Sequence, residues 1–208
     1  TKTLPLDVVA AMGEMGLFGL PFPEEVGGQG GDYVALGLAI EALGRVDQSV
    51  AITLEAGVSL GAMPIFRFGT DAQRAQFLPN LLAGRALAGF GLTEPEAGSD
   101  AGSTRTTARL EGAEWVIDGA KQFITNSGTA ITQFVTVTAG HRGDRKEIST
   151  IIVPNGTAGF EVGPAYDKVG WHASDTHPLT FTGARVPQGN LLGERGRGFA
   201  NFLSILDE

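Results

Sequence analysis

Phe90-Gly91-Leu92-Thr93-Glu94-Pro95-Glu96-Ala97-Gly98-Ser99-Asp100 reads as the end of a strand, stopped by Pro95 and turned through Gly98-Ser99-Asp100. Proline removes a backbone donor and fixes φ, so a strand rarely continues through it. Gly98 lets the backbone come close to a ligand, and Thr93 and Ser99 add hydroxyls and N–H groups there. A second stretch, Lys121-Gln122-Phe123-Ile124-Thr125-Asn126-Ser127, puts an aromatic and a hydroxyl two residues apart on one strand face. An aromatic plate ringed by hydroxyl and amide donors suits a flat heteroaromatic cofactor. On spacing alone, however, such a pattern is more often a turn between strands than a cofactor site.

Working outward, the hydrophobic period is helical before this stretch and two-residue after it. Residues 7–16 carry Val8, Val9, Met12 and Met15 at helical spacing. Residues 21–31 read as a loop. Asp32 can cap a helix whose buried stripe would include Leu36, Ala39, Ile40, Leu43 and Val46. Residues 49–63 form an almost wholly apolar helix rich in small residues. Thr70-Asp71-Ala72-Gln73 fits a capping box, and Pro79 is expected to break or restart the helix that follows. Arg67 and Arg74 read as solvated charges.

From about Ala86, strands are expected. Thr104, Thr106, Ala108 and Leu110 alternate with polar neighbours. Asp118-Gly119, between two apolar runs, predicts a hairpin turn. Further strands are expected at 134–139, 148–153, 160–162 and 178–183. A charged loop over 141–147 carries Arg142, Arg145 and Lys146, read as solvated rather than as partners of ligand phosphates. After Gly196-Arg197-Gly198 the period turns helical again, with Phe199, Phe202, Leu203 and Leu206 on one face. These patterns predict an α+β chain: an N-terminal α-helical domain over 1–88, an antiparallel β-barrel or sandwich over 89–195, and the start of a C-terminal helical bundle over 196–208.

The chain has 208 residues, no Cys, three His, 42% hydrophobic residues and a formal net charge of −8. The absence of Cys removes disulfides, thiolate zinc sites and cysteine nucleophiles from this stretch. The His lack metal-ligand spacing, so no metal site is expected. An acidic chain is a poor nucleic-acid binder. No secretory leader is visible, and no membrane span is expected.

Across nearly its whole length the chain resembles the acyl-CoA dehydrogenases, FAD enzymes that introduce an α,β double bond into acyl-CoA thioesters. The resemblance is carried, in the family's order, by Gly16-Leu17-Phe18-Gly19-Leu20, Pro23-Glu24-Glu25-Val26-Gly27-Gly28-Gln29-Gly30, Phe68-Gly69-Thr70, and the two stretches quoted above. Lys168-Val169-Gly170-Trp171, Ser174-Asp175-Thr176, Val186-Pro187 and Gly196-Arg197-Gly198-Phe199 complete it.

The resemblance implies specific roles. Phe90, Leu92 and Thr93 would lie against the isoalloxazine, with Thr93 donating to the ring. Gly98 and Ser99 would approach the FAD pyrophosphate, and Ser99 also the pantetheine arm of acyl-CoA. Phe123 would stack on the ring, where many relatives carry Trp, with Ile124 beside it and Thr125 near N5. Asp207 would begin the family's substrate-contacting segment. A carboxylate base would take the acyl α-proton while the β-hydrogen leaves as hydride for flavin N5. That base is expected beyond Glu208, in a helical domain that follows this stretch, so no catalytic residue is assigned within it. Glu208 itself falls one residue early, about 100° round a helix.

The resemblance also implies a homotetramer, electron-transferring flavoprotein as electron acceptor, and residence in a bacterial cytoplasm or, failing that, the mitochondrial matrix. Alternatives on the same fold are an acyl-CoA oxidase, a flavin monooxygenase or a non-catalytic partner subunit.

Overall fold

The computed structural model describes residues 3–141 and 144–207, with the side chains of 144–146 outside the description. The charged residues Arg142, Arg145 and Lys146 therefore lie outside it, as does Glu208. The helical half begins with α1 (Leu6–Glu14). It buries Val9 and Met12, whereas Met15, expected on the same stripe, is exposed. Asp32 caps α2 (Tyr33–Gly44), its carboxylate accepting from the Ala35 N–H at 2.8 Å. Leu36 is buried on α2, but Val46 lies beyond the helix end and is 90% exposed.

Next come α3 (Gln48–Glu55), a π-helical stretch (Ala56–Ala62) and α4 (Met63–Phe68), which together form one helix over Gln48–Phe68. It is 21 residues long and holds an apolar window of mean hydropathy 1.5, enough for a membrane span by length and composition alone. Within this fold, 72% of that apolar window is buried against protein, as in a core helix.

Thr70 and Gln73 form the expected capping box on α5 (Asp71–Leu82). The Gln73 amide also donates to the carbonyls of Gly189 and Leu191, both at 2.9 Å. Pro79 neither breaks nor restarts α5; the helix runs through it to Leu82. Arg74 is tethered rather than simply solvated, donating from Nε to the Phe66 carbonyl and pairing with Asp71.

The β half has β1 (Leu87–Gly91), β2 (Thr107–Glu111), β3 (Glu114–Thr125), β4 (Thr132–His141), β5 (Asp144–Pro154), β6 (Phe160–Val162), β7 (Thr176–Pro187) and β8 (Leu191–Leu192). They make one eight-stranded sheet in the order β6-β7-β3-β2-β4-β5-β8, with β1 on β4. The sheet is mostly antiparallel, but β1 and β2 both run parallel to β4. Both occupy the same edge of that strand. β1 pairs along Thr132–Val137, and β2 takes over at Gly140 and His141. Residues 92–106 must therefore leave the sheet and return within a short notch.

Asp118-Gly119 is not a hairpin turn. β3 runs unbroken through it, with a register irregularity against β7 and Gly119 at φ 149°. The turn lies at Gly112 (φ 62°), between β2 and β3. A Cβ at Gly119 would sit 2.5 Å from Thr106 Oγ1 and 2.6 Å from Thr106 Cα.

One hydrophobic core joins the helices to one face of the sheet through Phe90, Phe134, Ile152 and Leu192. A second fills the other face, from Trp115 and Ile117 to Val137, Ile151 and Phe181. The last helix, α6 (Gly198–Leu206), inserts Phe202 and Ile205 into the first core. Its buried stripe is rotated from the expected one, and Leu203 and Leu206 are exposed.

These two glycines separate bulge from turn. Gly119→Ala is expected to cost about 3 kcal/mol, because a Cβ there must displace backbone as well as adopt an unfavourable φ. Gly112→Ala, with nothing within 4 Å of the added Cβ, is expected to cost about 1 kcal/mol. Urea unfolding midpoints of the two variants test the order.

Candidate functional site

The notch between β1 and β2 is closed by a buried ion pair. Lys121 projects from β3 with 0% of its side chain exposed, and Glu94, in the emergent loop, has 3%. Their Nζ–Oε1 distance is 2.7 Å. Lys121 Nζ also reaches the Leu92 carbonyl at 3.2 Å, Thr104 Oγ1 at 3.3 Å and Thr138 Oγ1 at 3.0 Å. Glu94 in turn accepts from Thr104 Oγ1, from the Arg105 N–H at 2.6 Å and from the Thr106 N–H at 3.0 Å. Both ends of the 92–106 loop are thus fastened to one charge pair.

Burial alone would raise the Glu94 carboxyl, but the Lys121 charge and the hydrogen bonds from Lys121, Thr104 and Arg105 outweigh it and hold it at about 2. Burial also pulls Lys121 down, to about 8, against the opposing pull of Glu94. At neutral pH both remain charged.

Beside this anchor, the two quoted stretches meet. The Gln122 N–H donates to the Thr93 carbonyl at 2.9 Å, and the Gln122 amide to the Glu94 carbonyl at 3.4 Å. Phe123 follows at φ 61°, a left-handed conformation that is costly for a bulky residue. The residue is 58% exposed, with its ring centroid 4.9 Å from that of Tyr166. Asn126, also left-handed at φ 59°, is fully buried and donates to the Thr53 carbonyl at 3.3 Å, tying the end of β3 to α3. Thr125, between them, is half-buried. The strand thus turns Phe123 outward and returns Ile124 to the second core.

The structure gathers Leu92, Thr93, Phe123 and Thr125 along this rim, with Leu92 and Thr93 half-buried. Gly98 and Ser99 lie exposed on the outer turn beyond the 94–97 bridge. The Phe90 ring points elsewhere: it is 9% exposed and stacked at 3.7 Å on Phe202. Asp207 lies exposed at the end of α6. The fit to a flavin is good at the rim. An outward aromatic face stands beside hydroxyl donors, and the Thr93 N–H has no protein partner among the bonds of the described residues. Among the described residues, no three His, Asp or Glu side chains converge on a metal position.

Neither Glu94 nor Lys121 is among the site residues expected from the sequence. A Thr-Glu-Pro stretch together with a lysine inside an apolar strand is the signal that was available for the pair.

Comparison with known proteins places the geometry in context. The acyl-CoA dehydrogenase N-terminal domain profile matches residues 1–85, and the middle-domain profile of the same family matches 89–184. A probable acyl-CoA dehydrogenase of Bacillus subtilis, YngJ, is 46% identical over 100% of this chain and 55% of its own length. A short-chain specific acyl-CoA dehydrogenase of Clostridium acetobutylicum is 39% identical, again over 100% of the chain and 55% of its own. The chain therefore spans about half the length of these curated relatives.

Among solved structures, butyryl-CoA dehydrogenase from Megasphaera elsdenii superposes with a TM-score of 0.92 at 39% identity, covering 99% of this chain and 55% of that one. An acyl-CoA dehydrogenase from Bacillus anthracis, solved in complex with FAD, gives 0.90 at 40%, covering 97% and 34%. A chain from the electron transferring flavoprotein study of Acidaminococcus fermentans gives 0.93 at 40%, covering 99% and 54%.

The folded-state value of Glu94 lies below its ordinary 4.5, so its contribution to stability is complete above that value and declines as pH falls through about 2. Removing one partner strands a buried charge, so Glu94→Gln and Lys121→Met are each expected to cost about 3–5 kcal/mol. The double variant should recover much of that loss. Urea unfolding of the four proteins from pH 6 to pH 2 measures both effects; wild-type-like stability in either single variant contradicts the assignment.

Proposed function

Because the chain belongs to the acyl-CoA dehydrogenase family, we propose that the full-length protein is an FAD-dependent dehydrogenase that introduces an α,β double bond into a short straight-chain acyl-CoA thioester. The outward Phe123 ring, held in a strained conformation near a Thr93 N–H from which no described residue accepts, is the observation that carries this reading. A large aromatic is neither exposed nor strained cheaply, and both features are accounted for if its face receives a flat ring system.

When bound, FAD supplies the acceptor for the hydride leaving the β-carbon. The residues here bind and orient it. Phe123 provides the stacking surface. The Thr93 N–H and hydroxyl and the Thr125 hydroxyl provide donors for the polar edge of the ring, with Leu92 and Ile124 packing behind. Gly98 and Ser99 are assigned to the FAD pyrophosphate, and Ser99 also to the pantetheine arm. Asp207 is assigned to the substrate. The base that takes the α-proton is assigned to a Glu outside residues 1–208. The part of Phe90 is structural, since its ring is already occupied by Phe202.

Similarity to short-chain and butyryl-CoA enzymes supports the short acyl chain. The Acidaminococcus neighbour supports an electron-transferring flavoprotein as acceptor. Family resemblance supports a homotetramer in a bacterial cytoplasm; mammalian relatives named as mitochondrial keep the matrix as the alternative.

Anaerobic titration of the full-length protein with straight-chain acyl-CoA thioesters should bleach the visible flavin band, most completely with butyryl-CoA. A yellow protein that no thioester bleaches contradicts the dehydrogenase assignment, and a colourless protein that takes up no FAD contradicts the cofactor.

A single substitution separates binding from folding. Phe123→Gly relieves the left-handed strain and is expected to leave the FAD-free protein about 1 kcal/mol more stable, while weakening FAD binding roughly tenfold. Thermal unfolding without FAD and flavin titration measure the two effects.

A further inference from the structure

We propose that Lys121 is a positioning residue for the flavin, holding the Leu92–Thr93 peptide with its carbonyl turned inward so that the Thr93 N–H is presented outward as a strengthened donor to the ring. This rests on the flavin reading above and adds a residue that would not touch the cofactor itself.

The geometry is that of one peptide unit. In a trans peptide the C=O and N–H point in opposite directions across a rigid plane. Lys121 Nζ holds the Leu92 oxygen at 3.2 Å from within the protein. The N–H of the same plane belongs to Thr93, and no described residue accepts from it. The neighbouring groups are all committed: Leu92 N–H to the Phe90 carbonyl, Thr93 carbonyl to the Gln122 N–H, and Glu94 N–H to the Ala97 carbonyl. Rotating this plane breaks the Leu92–Lys121 bond, and the planes on either side are pinned by the Leu92 N–H–Phe90 and Thr93 carbonyl–Gln122 bonds.

Charge adds to orientation. An ammonium on a carbonyl draws electron density from the amide and makes its N–H a stronger donor. Lys121 is fully buried, so water does not screen this effect, and it comes from a strand that also carries Phe123. The stacking face and the polarised donor are therefore set by residues two positions apart on one strand. Two-electron reduction adds negative charge to a flavin ring, so a strengthened donor favours the reduced form over the oxidised one.

The test uses full-length FAD-loaded protein in four forms: wild type, Lys121→Met, Glu94→Gln, and the double variant. Losing the Lys121 bond should weaken binding of reduced relative to oxidised flavin about tenfold, a fall of about 30 mV in the two-electron midpoint potential. The decisive form is the double variant, which has no stranded charge. It should regain thermal stability relative to Lys121→Met yet keep the lowered potential. The amide proton of Thr93, followed by NMR in protein labelled with 15N-threonine, should move less on FAD binding than it does in wild type.

If the potential recovers together with stability, or never moves in a yellow variant, Lys121 is a structural residue only and the proposal fails. A wild-type protein that binds no flavin overturns the underlying function instead, and the two failures are told apart by colour.

Discussion

A lysine with no exposed surface governs how this sheet is closed. β1 and β2 share one edge of β4, and the chain between them must bulge out and return within the length of a few residues. Backbone groups in such a notch lose their ladder partners, and an unpaired polar group in a buried place is expensive. Lys121 supplies donors to Leu92, Thr104 and Thr138, while Glu94 accepts from Thr104, Arg105 and Thr106. A pair of neutral residues of similar size could fill the space but could not satisfy so many groups on both sides. The ion pair is best understood as a device for building a loop, and the loop is what brings Thr93 to the rim.

Strain is distributed accordingly. Among the described residues, three non-glycines have positive φ: Phe123, Asn126 and Trp171. Two of them bracket Ile124 and Thr125, so the end of β3 is twisted out of the regular alternation and back again. The second core holds Ile124, Thr53 holds Asn126, and Phe123 is left over, facing outward. A regular strand would have placed Phe123 and Thr125 together on one face and Ile124 on the other. The twist separates their burial, leaving Phe123 exposed and Thr125 half-buried.

Much of this was legible in the sequence. Period changes located the helical half, the β half and the return to helix, because amphipathic spacing is a local property. The capping box at Thr70 and the cap at Asp32 were legible for the same reason. What was misread depended on distant partners. Asp118-Gly119 carries a hairpin signal, yet Gly119 is there because Thr106 presses against it. Pro79 passes through α5 because a proline costs a helix one bond, which tertiary packing can outweigh. Glu94 and Lys121 lie 27 residues apart: a lysine inside an apolar strand signals a buried charge, but only the fold shows which carboxylate meets it. At the site, resemblance supplied the motif residues as candidates; that Phe90 turns its ring to Phe202 was not visible without the helix that carries Phe202.

The Gln73 side chain carries a wider implication. Its oxygen helps begin α5, while its nitrogen grips the backbone on either side of Asn190, far along the chain. Asn126 does the reverse, reaching from the sheet to a carbonyl of α3. Each amide is a rivet through the boundary between helices and strands, and Phe90, Phe134 and Phe202 share a core across it. The two halves, separable as sequence families, are therefore joined as a material: loosening either exposes unsatisfied groups in the other. Local opening should spread across the boundary rather than stop at it, and the rim that carries Phe123 inherits its stiffness from the helices behind it.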